Sequence, residues 1–326
     1  MSGLEPHVTE AVCASEARIV ITGAGGWIGR ATLDLLHAAL GNRLATRVHC
    51  FGSNARTLAL STGITINQRP LSDLVALAPA PTILLHLAFL TKDRAEEMDE
   101  PAYRAANRAI DDQVLAALDP IGTRAVFVAS SGAAASTNPA AAMQLYGALK
   151  REQERRFADW AAAGERRAIV TRIFNLSGPH INKQSSYALS AFILDALAGG
   201  PIRIRAPHRV IRSYVAIREL MSLVFALLLD GGKGVTRFDS GGAEVEMRAI
   251  AEAVAARVGN VAITRPPLDA ATVDDYRGDG AAYAALLGHH RIPPVPFDRQ
   301  VAETVEYLSF SEQDRGGDGL AKTKPA

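Results

Sequence analysis

The chain has 326 residues, 48% of them hydrophobic and 21% charged, with 35 Lys and Arg against 34 Asp and Glu for a formal net charge of +1. That length fits one or two globular domains, and the balanced charge leaves no electrostatic footprint for nucleic acid as a partner. Cys13 and Cys50 are far apart and outside any CxxC spacing, so neither zinc nor a disulfide framework is expected, and a reducing cytoplasmic location fits best.

Residues 1–17 carry acids and lack the basic and then apolar regions of a signal peptide, so they read as a loose leader. Short apolar runs at 18–22, 47–51, 82–88, 124–130 and 168–174 read as strands buried on both faces, with 64–66 a weaker candidate. Helical stretches near 27–40, 101–118 and 146–163 alternate with them, which predicts an α/β fold: a Rossmann-type, doubly wound parallel sheet over 18–178. Leu149, Phe157 and Trp160 form a stripe on the last of these helices that reads as core packing, with a dimer face as the alternative. Helices near 187–198, 217–229, 247–258 and 297–308, separated by extended pieces at 202–205 and 235–239, predict a smaller, mostly helical substrate lobe over 179–310. Segments of that lobe can pass back to the first sheet. The polar tail, 311–326, reads as frayed. No apolar run approaches the roughly 20 residues that span a bilayer, so no membrane partner is expected.

The stretch "TGAGGWIG" (22–29) lies between the first strand and the first helix, with Gly23, Gly26 and Gly29 at T-G-x-x-G-x-x-G spacing. Gly23 suits a tight turn, Gly26 lets a pyrophosphate reach the backbone, and Gly29 lets helix and strand pack closely. The helix N-terminus at Trp27 and Ile28 supplies N–H groups and a positive dipole end. A turn without a ligand is the alternative, but the strand before and the helix after are the context a dinucleotide site requires. At the end of the second strand, Gly52 and Ser53 stand where an acid would bind the adenosine ribose, and Arg56 follows. The missing acid and the arginine tilt the expected cofactor from NAD toward NADP.

"YGALK" places Tyr146 and Lys150 four residues apart, on one helix face. An ammonium beside a phenol stabilises the phenolate and equips it for proton transfer. Ser130 and Ser131 end the preceding strand, at the sheet edge where open α/β folds bind ligands. His86 reads as a core histidine. His289 and His290 are adjacent, with no H-x-x-x-H spacing, so no metal is expected.

Together TGxxGxxG, the strand-end serine and YxxxK resemble the extended short-chain dehydrogenase/reductase family, in its nucleotide-sugar epimerase/dehydratase branch. "LLHLAF" (84–89), the helix carrying Asn107, "RIFNLSGPH" (172–180) and "RVIRSYVAIREL" (209–220) are similar to later family segments and occur in family order. The resemblance implies that Leu87 and Ala88 line an NAD(P) cofactor, that Asn175 faces the substrate, and that Arg212 reaches the diphosphate of a nucleotide sugar. It also implies that Tyr146 exchanges the substrate proton, Lys150 holds the nicotinamide ribose and lowers the tyrosine pKa, and Ser131 orients the substrate oxygen. A homodimer through the helices near 101–118 and 146–163 is implied as well. One departure stands out: the family's Tyr-Gly after the serines is replaced by Ala135 and Ser136.

Relatives that dehydrate or decarboxylate sugars place an acid just after the catalytic Ser or Thr. Here Gly132, Ala133 and Ala134 follow Ser131, and none carries a proton. The reading is therefore an NAD(P)-dependent epimerase or 4-ketoreductase, not a 4,6-dehydratase or decarboxylase. A small-carbonyl reductase of the same superfamily and a non-catalytic NADP sensor are the alternatives.

Overall fold

Strands buried on both faces need helices above and below the sheet, and the chain supplies them by alternation. The computed structural model describes residues 3–138, 140–259 and 261–317. Helix α1 (Pro6–Ala14) precedes β1 (Arg18–Thr22), which leads through the glycine run into α2 (Trp27–Leu40). One helical turn, α3 (Leu44–Arg47), then β2 (Val48–Gly52), β3 (Arg56–Ala59), β4 (Thr65–Pro70) and β5 (Thr82–His86) follow. Next come α4 (Lys92–Glu97), α5 (Glu100–Leu118), β6 (Thr123–Ser131), α6 (Ala141–Ala163), β7 (Arg167–Ile173) and β8 (Asn175–Ser177). The second half holds α7 (Ala188–Leu197), β9 (Ile202–Arg203), β10 (His208–Ala216), α8 (Ile217–Leu229), β11 (Gly234–Asp239) and β12 (Glu244–Glu246). It closes with α9 (Met247–Val258), β13 (Ile263–Thr264), β14 (Asp269–Tyr276), α10 (Gly280–His289) and α11 (Phe297–Gly317).

Eight strands form the main sheet in the order β11-β7-β6-β5-β1-β2-β4-β3, parallel except for the β3/β4 hairpin. Side chains alternate across it with the period of two that a strand imposes. Ile19 and Ile21 pack with Leu33, Leu36, Val224 and Phe225 on one face, while Val20, Leu84 and Val126 meet Val114, Leu118 and Phe157 on the other. The chain order reverses at β1, with β2 on one side and β5 on the other. The crevice beyond the carboxyl ends of β1 and β5 is thus the place where a doubly wound sheet takes a ligand.

Two expectations need correction. Of the expected loose leader, residues 3–17 are described and are not loose: Leu4, Val8 and Val12 lie at i, i+4 and i+8, and α1 with the residues before it buries that stripe against α2 and α8. Segments of 179–310 pass back to the first sheet. Strand β11 pairs with β7, and α8 buries Leu220, Leu223 and Phe225 in the core that holds Ile21, so both return to the first sheet. What remains is α7, α9 and α11 packed around Ile193, Ile250, Val254 and Val301, beside a small sheet of β12, β10 and β14. Residues 311–317 of the expected frayed tail continue helix α11, and 318–326 lie outside the described residues. The stripe of Leu149, Phe157 and Trp160 serves the core, and the Trp160 indole donates to Asp119 at 2.8 Å. Among the described residues no helix is long and apolar enough to cross a membrane.

A buried polar cluster ties the lobes together. Ser61, in the turn between β3 and β4, donates its backbone N–H and its hydroxyl to Asp34 of α2, and His180 Nε2 lies 2.6 Å from Asp34 Oδ2. Burial raises the Asp34 pKa, but the bonds from His180 and Ser61 outweigh it and leave the carboxyl below its ordinary 3.8. The unfolded chain then binds the proton more readily than the folded one. The contribution of Asp34 is complete above the unfolded value and is lost as pH falls through the folded one. Thermal unfolding followed from pH 6 down to pH 3 is expected to show a shallower acid loss in Asp34→Asn, which starts less stable, than in the parent; parallel curves would remove Asp34 from the acid limb.

Candidate active site

The glycines of the first turn are close-approach positions. Gly23 has φ of 72°, and a Cβ there would lie 2.7 Å from Ala88 N and 2.8 Å from the Leu87 carbonyl carbon. A Cβ on Gly29 would lie 2.5 Å from Ala24 O, so α2 presses directly on the turn. Gly26 is the N-cap of α2 and offers no side-chain cap. The first-turn N–H groups at Trp27, Ile28 and Gly29 have no intrahelical acceptor, as at any helix start, and stand at a positive helix end, which is the chemistry that fits a phosphate. The side chains of Trp27 and Ile28 point elsewhere. The Trp27 indole donates to Pro179 O at 2.7 Å and packs on Tyr187, which clamps the turn to the second lobe, and Ile28 joins the core.

At the carboxyl end of β2, where the resemblance implies that the adenosine lies, stands a cation and, among the described residues, no acid. A Cβ on Gly25 would lie 1.5 Å from Arg56 Nη2, so the guanidinium covers the glycine turn. A Cβ on Gly52 would lie 2.4 Å from Gln68 Nε2. Gln68 thus fills the space at the end of β2 where an acid would stand, and it donates to Asn54 O at 2.8 Å. Ser53 is exposed beside it.

The two strand-end serines have different partners. Ser130 Oγ donates to Glu154 Oε1 at 2.5 Å, and Arg172 holds both carboxylate oxygens at 2.9 Å, so Ser130 belongs to the buried frame. Ser131 Oγ accepts from Ala133 N at 3.2 Å, and the serine hydroxyl is near enough to the Tyr146 and Tyr276 phenols to work against the rise in pKa that burial imposes on both. Ser131 thus lies near Tyr146.

Lys150 spends two of its three donors on protein groups. Its Nζ donates to Ala129 O at 2.8 Å and Gln153 Oε1 at 3.0 Å, and sits 3.8 Å above the Phe89 ring. Burial draws the ammonium down to about 7, against the attraction of Asp111 and Glu154. The ammonium is 6.0 Å from the Tyr146 ring centroid. Burial also pushes the Tyr146 phenol up, and the Ser131 hydroxyl only partly offsets it. The phenol is thus raised where the sequence predicts it lowered, because desolvation penalises the phenolate more than its neighbours stabilise it. His86 is a satisfied core histidine, with Thr22 Oγ1 at 2.8 Å and Asp111 Oδ1 at 3.0 Å. Asn107 is likewise structural, accepting from Leu90 N at 2.8 Å.

On the substrate side, Asn175 donates its amide to Ser213 O at 3.0 Å across the β8/β10 pair. Arg212 is half-buried and paired: Nη2 donates to Asp274 Oδ2 at 2.7 Å, and Nη1 reaches Ile211 O and Asp274 O. Tyr276 is the residue that sequence reasoning missed. It ends β14 in register with Arg212, its ring packs on Phe174 at 4.8 Å, and its hydroxyl would lie 2.5 Å from a Cβ on Gly132. "DDYRGDG" offers no spacing that could have singled it out, since Gly132, which its hydroxyl approaches, is 144 positions earlier.

Comparison with known proteins bears on this arrangement directly. The model of the NAD dependent epimerase/dehydratase family matches residues 19–237, more than half of the chain. The chain belongs to this family. The matched segment includes the glycine turn, Ser131, Tyr146, Lys150, Asn175 and Arg212, and stops short of Tyr276. No curated protein matches the sequence. Solved structures share the fold at low identity. MoeE5 in complex with UDP-glucose and NAD is 20% identical with a TM-score of 0.69, over 91% of this chain and 100% of that one. A UDP-N-acetylglucosamine 4-epimerase from Methanobrevibacter ruminantium M1 is 17% identical with a TM-score of 0.71, over 91% and 99%. DesIV, a dTDP-glucose 4,6-dehydratase from Streptomyces venezuelae with NAD and TYD bound, is 18% identical with a TM-score of 0.67, over 92% and 98%. Likeness to these folds alone therefore leaves dehydration open.

Proposed function

We propose that the protein moves hydride reversibly between NAD(P) and a nucleotide-diphosphate sugar, as an epimerase working through a keto sugar or as a 4-ketoreductase. The observation that carries this reading is the placing of Ser131 at the end of β6 near Tyr146, with Lys150 Nζ 6.0 Å from the Tyr146 ring centroid, on the sheet edge that also presents the glycine turn. Gly23, Gly26 and Gly29 with the N–H groups of Trp27 and Ile28 would hold the pyrophosphate, Ser53 and Arg56 the adenosine end, and Leu87, Ala88, Tyr146 and Lys150 the nicotinamide half. When bound, the nicotinamide supplies the hydride acceptor or donor. Tyr146 takes or returns the hydroxyl proton, Ser131 orients the substrate oxygen, and Asn175 and Arg212 bind the rest of the substrate. The argument against dehydration and decarboxylation is chemical: Gly132, Ala133 and Ala134 offer no acid beside Ser131.

Arg56 over Gly25, with Gln68 closing the place of an acid at Gly52, supports NADP over NAD. A second reading, reduction of a small uncharged carbonyl, is favoured by the Asp274 pairing that neutralises Arg212. A homodimer through α5 and α6 rests on the family resemblance, and a cytoplasmic location on Cys13 and Cys50 both being free thiols. Heat release and identification of the nucleotide carried by purified protein tests the reading. Stoichiometric NAD is the expected result for an epimerase, and a site that fills only with added NADPH is the expected result for a reductase. Failure to bind either dinucleotide would overturn both.

A further inference from the structure

Gln68 of β4 is 3% exposed and brings its amide to the end of β2. A Cβ on Gly52 would lie 2.5 Å from Gln68 Cδ and 2.7 Å from Oε1, so the amide stands where the side chain of an acid at position 52 would begin. The two ends of that amide differ. Nε2 donates to Asn54 O at 2.8 Å, and a carbonyl can only accept, so the nitrogen is fixed on that side. Oε1 is buried and has no hydrogen-bond partner among the described residues. A buried acceptor left without a donor is costly and uncommon in a folded chain.

The residue across the ladder shows the complementary lack. Arg56 of β3 is directly opposite Gln68 in the antiparallel β3/β4 pair, which puts both side chains on one face. Its guanidinium is exposed, lies over the glycine turn at Gly25, and has no hydrogen-bond or ion-pair partner among the described residues. A donor without an acceptor and an acceptor without a donor thus share one face beside the glycine turn.

We propose, resting on the NAD(P) reading above, that Gln68 takes the place of the missing acid: its Oε1 accepts from the adenosine ribose 3′-hydroxyl and leaves the 2′ position open to a phosphate on Arg56. The 3′-hydroxyl is the one that NAD and NADP share, whereas a 2′-phosphate is itself an acceptor and goes to the cation. An ionised acid in the same place would accept from the ribose of NAD and repel a 2′-phosphate. The amide accepts without a charge, so it keeps the ribose contact and admits the phosphate. No spacing in the sequence marks it, because the acceptor comes from another strand, 16 positions after Gly52.

Binding to the full chain, measured by calorimetry, is the test. Adenosine 2′,5′-bisphosphate is expected to bind about tenfold more tightly than its 3′-deoxy analogue, because the analogue leaves Oε1 unpaired. That comparison needs no variant. In Gln68→Met, which keeps the length of the side chain and lacks the amide, the two ligands are expected to bind alike. Arg56→Ala is expected to weaken both by about tenfold or more and to keep the preference between them, since phosphate and hydroxyl have separate partners. A parent indifferent to the 3′-hydroxyl, a preference that survives in Gln68→Met, or one that disappears in Arg56→Ala would each overturn the assignment. A parent that binds NADH or NADPH yet ignores the 3′-hydroxyl sinks the role of Gln68 alone; one that binds neither sinks the NAD(P) reading and the role of Gln68 with it.

Discussion

Tyr146→Phe is expected to reduce turnover by about 10²- to 10⁴-fold while dinucleotide affinity and the unfolding temperature stay near the parent values. The ring of Tyr146 packs among Phe89, Tyr103, Leu145 and Leu149, and phenylalanine keeps those contacts. Only the hydroxyl is lost, and Ser131 retains the Ala133 N–H as a partner. The raised phenol adds a direction. Oxidation of a substrate hydroxyl needs the phenolate, so its rate should climb on the alkaline side, whereas reduction of a ketone needs the neutral phenol and should persist at neutral pH. Lys150, drawn down by burial to about 7, keeps less of its positive charge as pH rises and gives the phenolate less help there. Single-turnover kinetics across pH separates these limbs. A Phe variant with near-normal hydride transfer would remove Tyr146 from the role assigned to it.

What could be read from the sequence follows from the range of the interaction involved. Runs such as "TILLHLA" declare a strand buried on both faces through their own composition. Gly23, Gly26 and Gly29, or Tyr146 and Lys150, are fixed in relation to each other by a single turn or helix. Strand β11 was legible as an extended piece, but nothing in "VTRFD" specifies β7 as its neighbour; that pairing depends on α8 burying its apolar face on the first sheet. Strand β3 buries Leu58 alone, too little for a pattern. Helix α1 escaped because Glu5, His7 and Glu10 interrupt the eye between Leu4, Val8 and Val12, although the i, i+4 spacing is there. In the site the same division holds. Arg212 with Asp274, and Gly132 with the Tyr276 hydroxyl that closes on it, bring together segments distant in the chain, and no local spacing encodes them. The pKa of Tyr146 was misread for a related reason: spacing shows that a lysine is near, but burial is a property of the packed fold.

Gly23→Ala is expected to weaken dinucleotide binding by at least about tenfold and to destabilise the fold by about 2–4 kcal/mol, lowering the unfolding temperature by about 5 °C or more. Two costs combine. At φ of 72° an L side chain meets a penalty of about 1–2 kcal/mol. The new methyl also points at Ala88 N and the Leu87 carbonyl carbon, at 2.7 and 2.8 Å. Those are backbone atoms, and Leu87 N is already bonded to Thr22 O at 3.1 Å, so the clash can be relieved only by opening β1 from β5 at the mouth of the crevice. Gly63 separates the two costs. Its φ is 82°, and a Cβ there would have nothing within 4 Å. Gly63→Ala should therefore show the backbone penalty alone and bind the dinucleotide as the parent does. Equal losses at the two positions would mean that Gly23 matters for its backbone angle and not for the approach of Ala88; intact binding in Gly23→Ala would detach the glycine turn from the cofactor altogether.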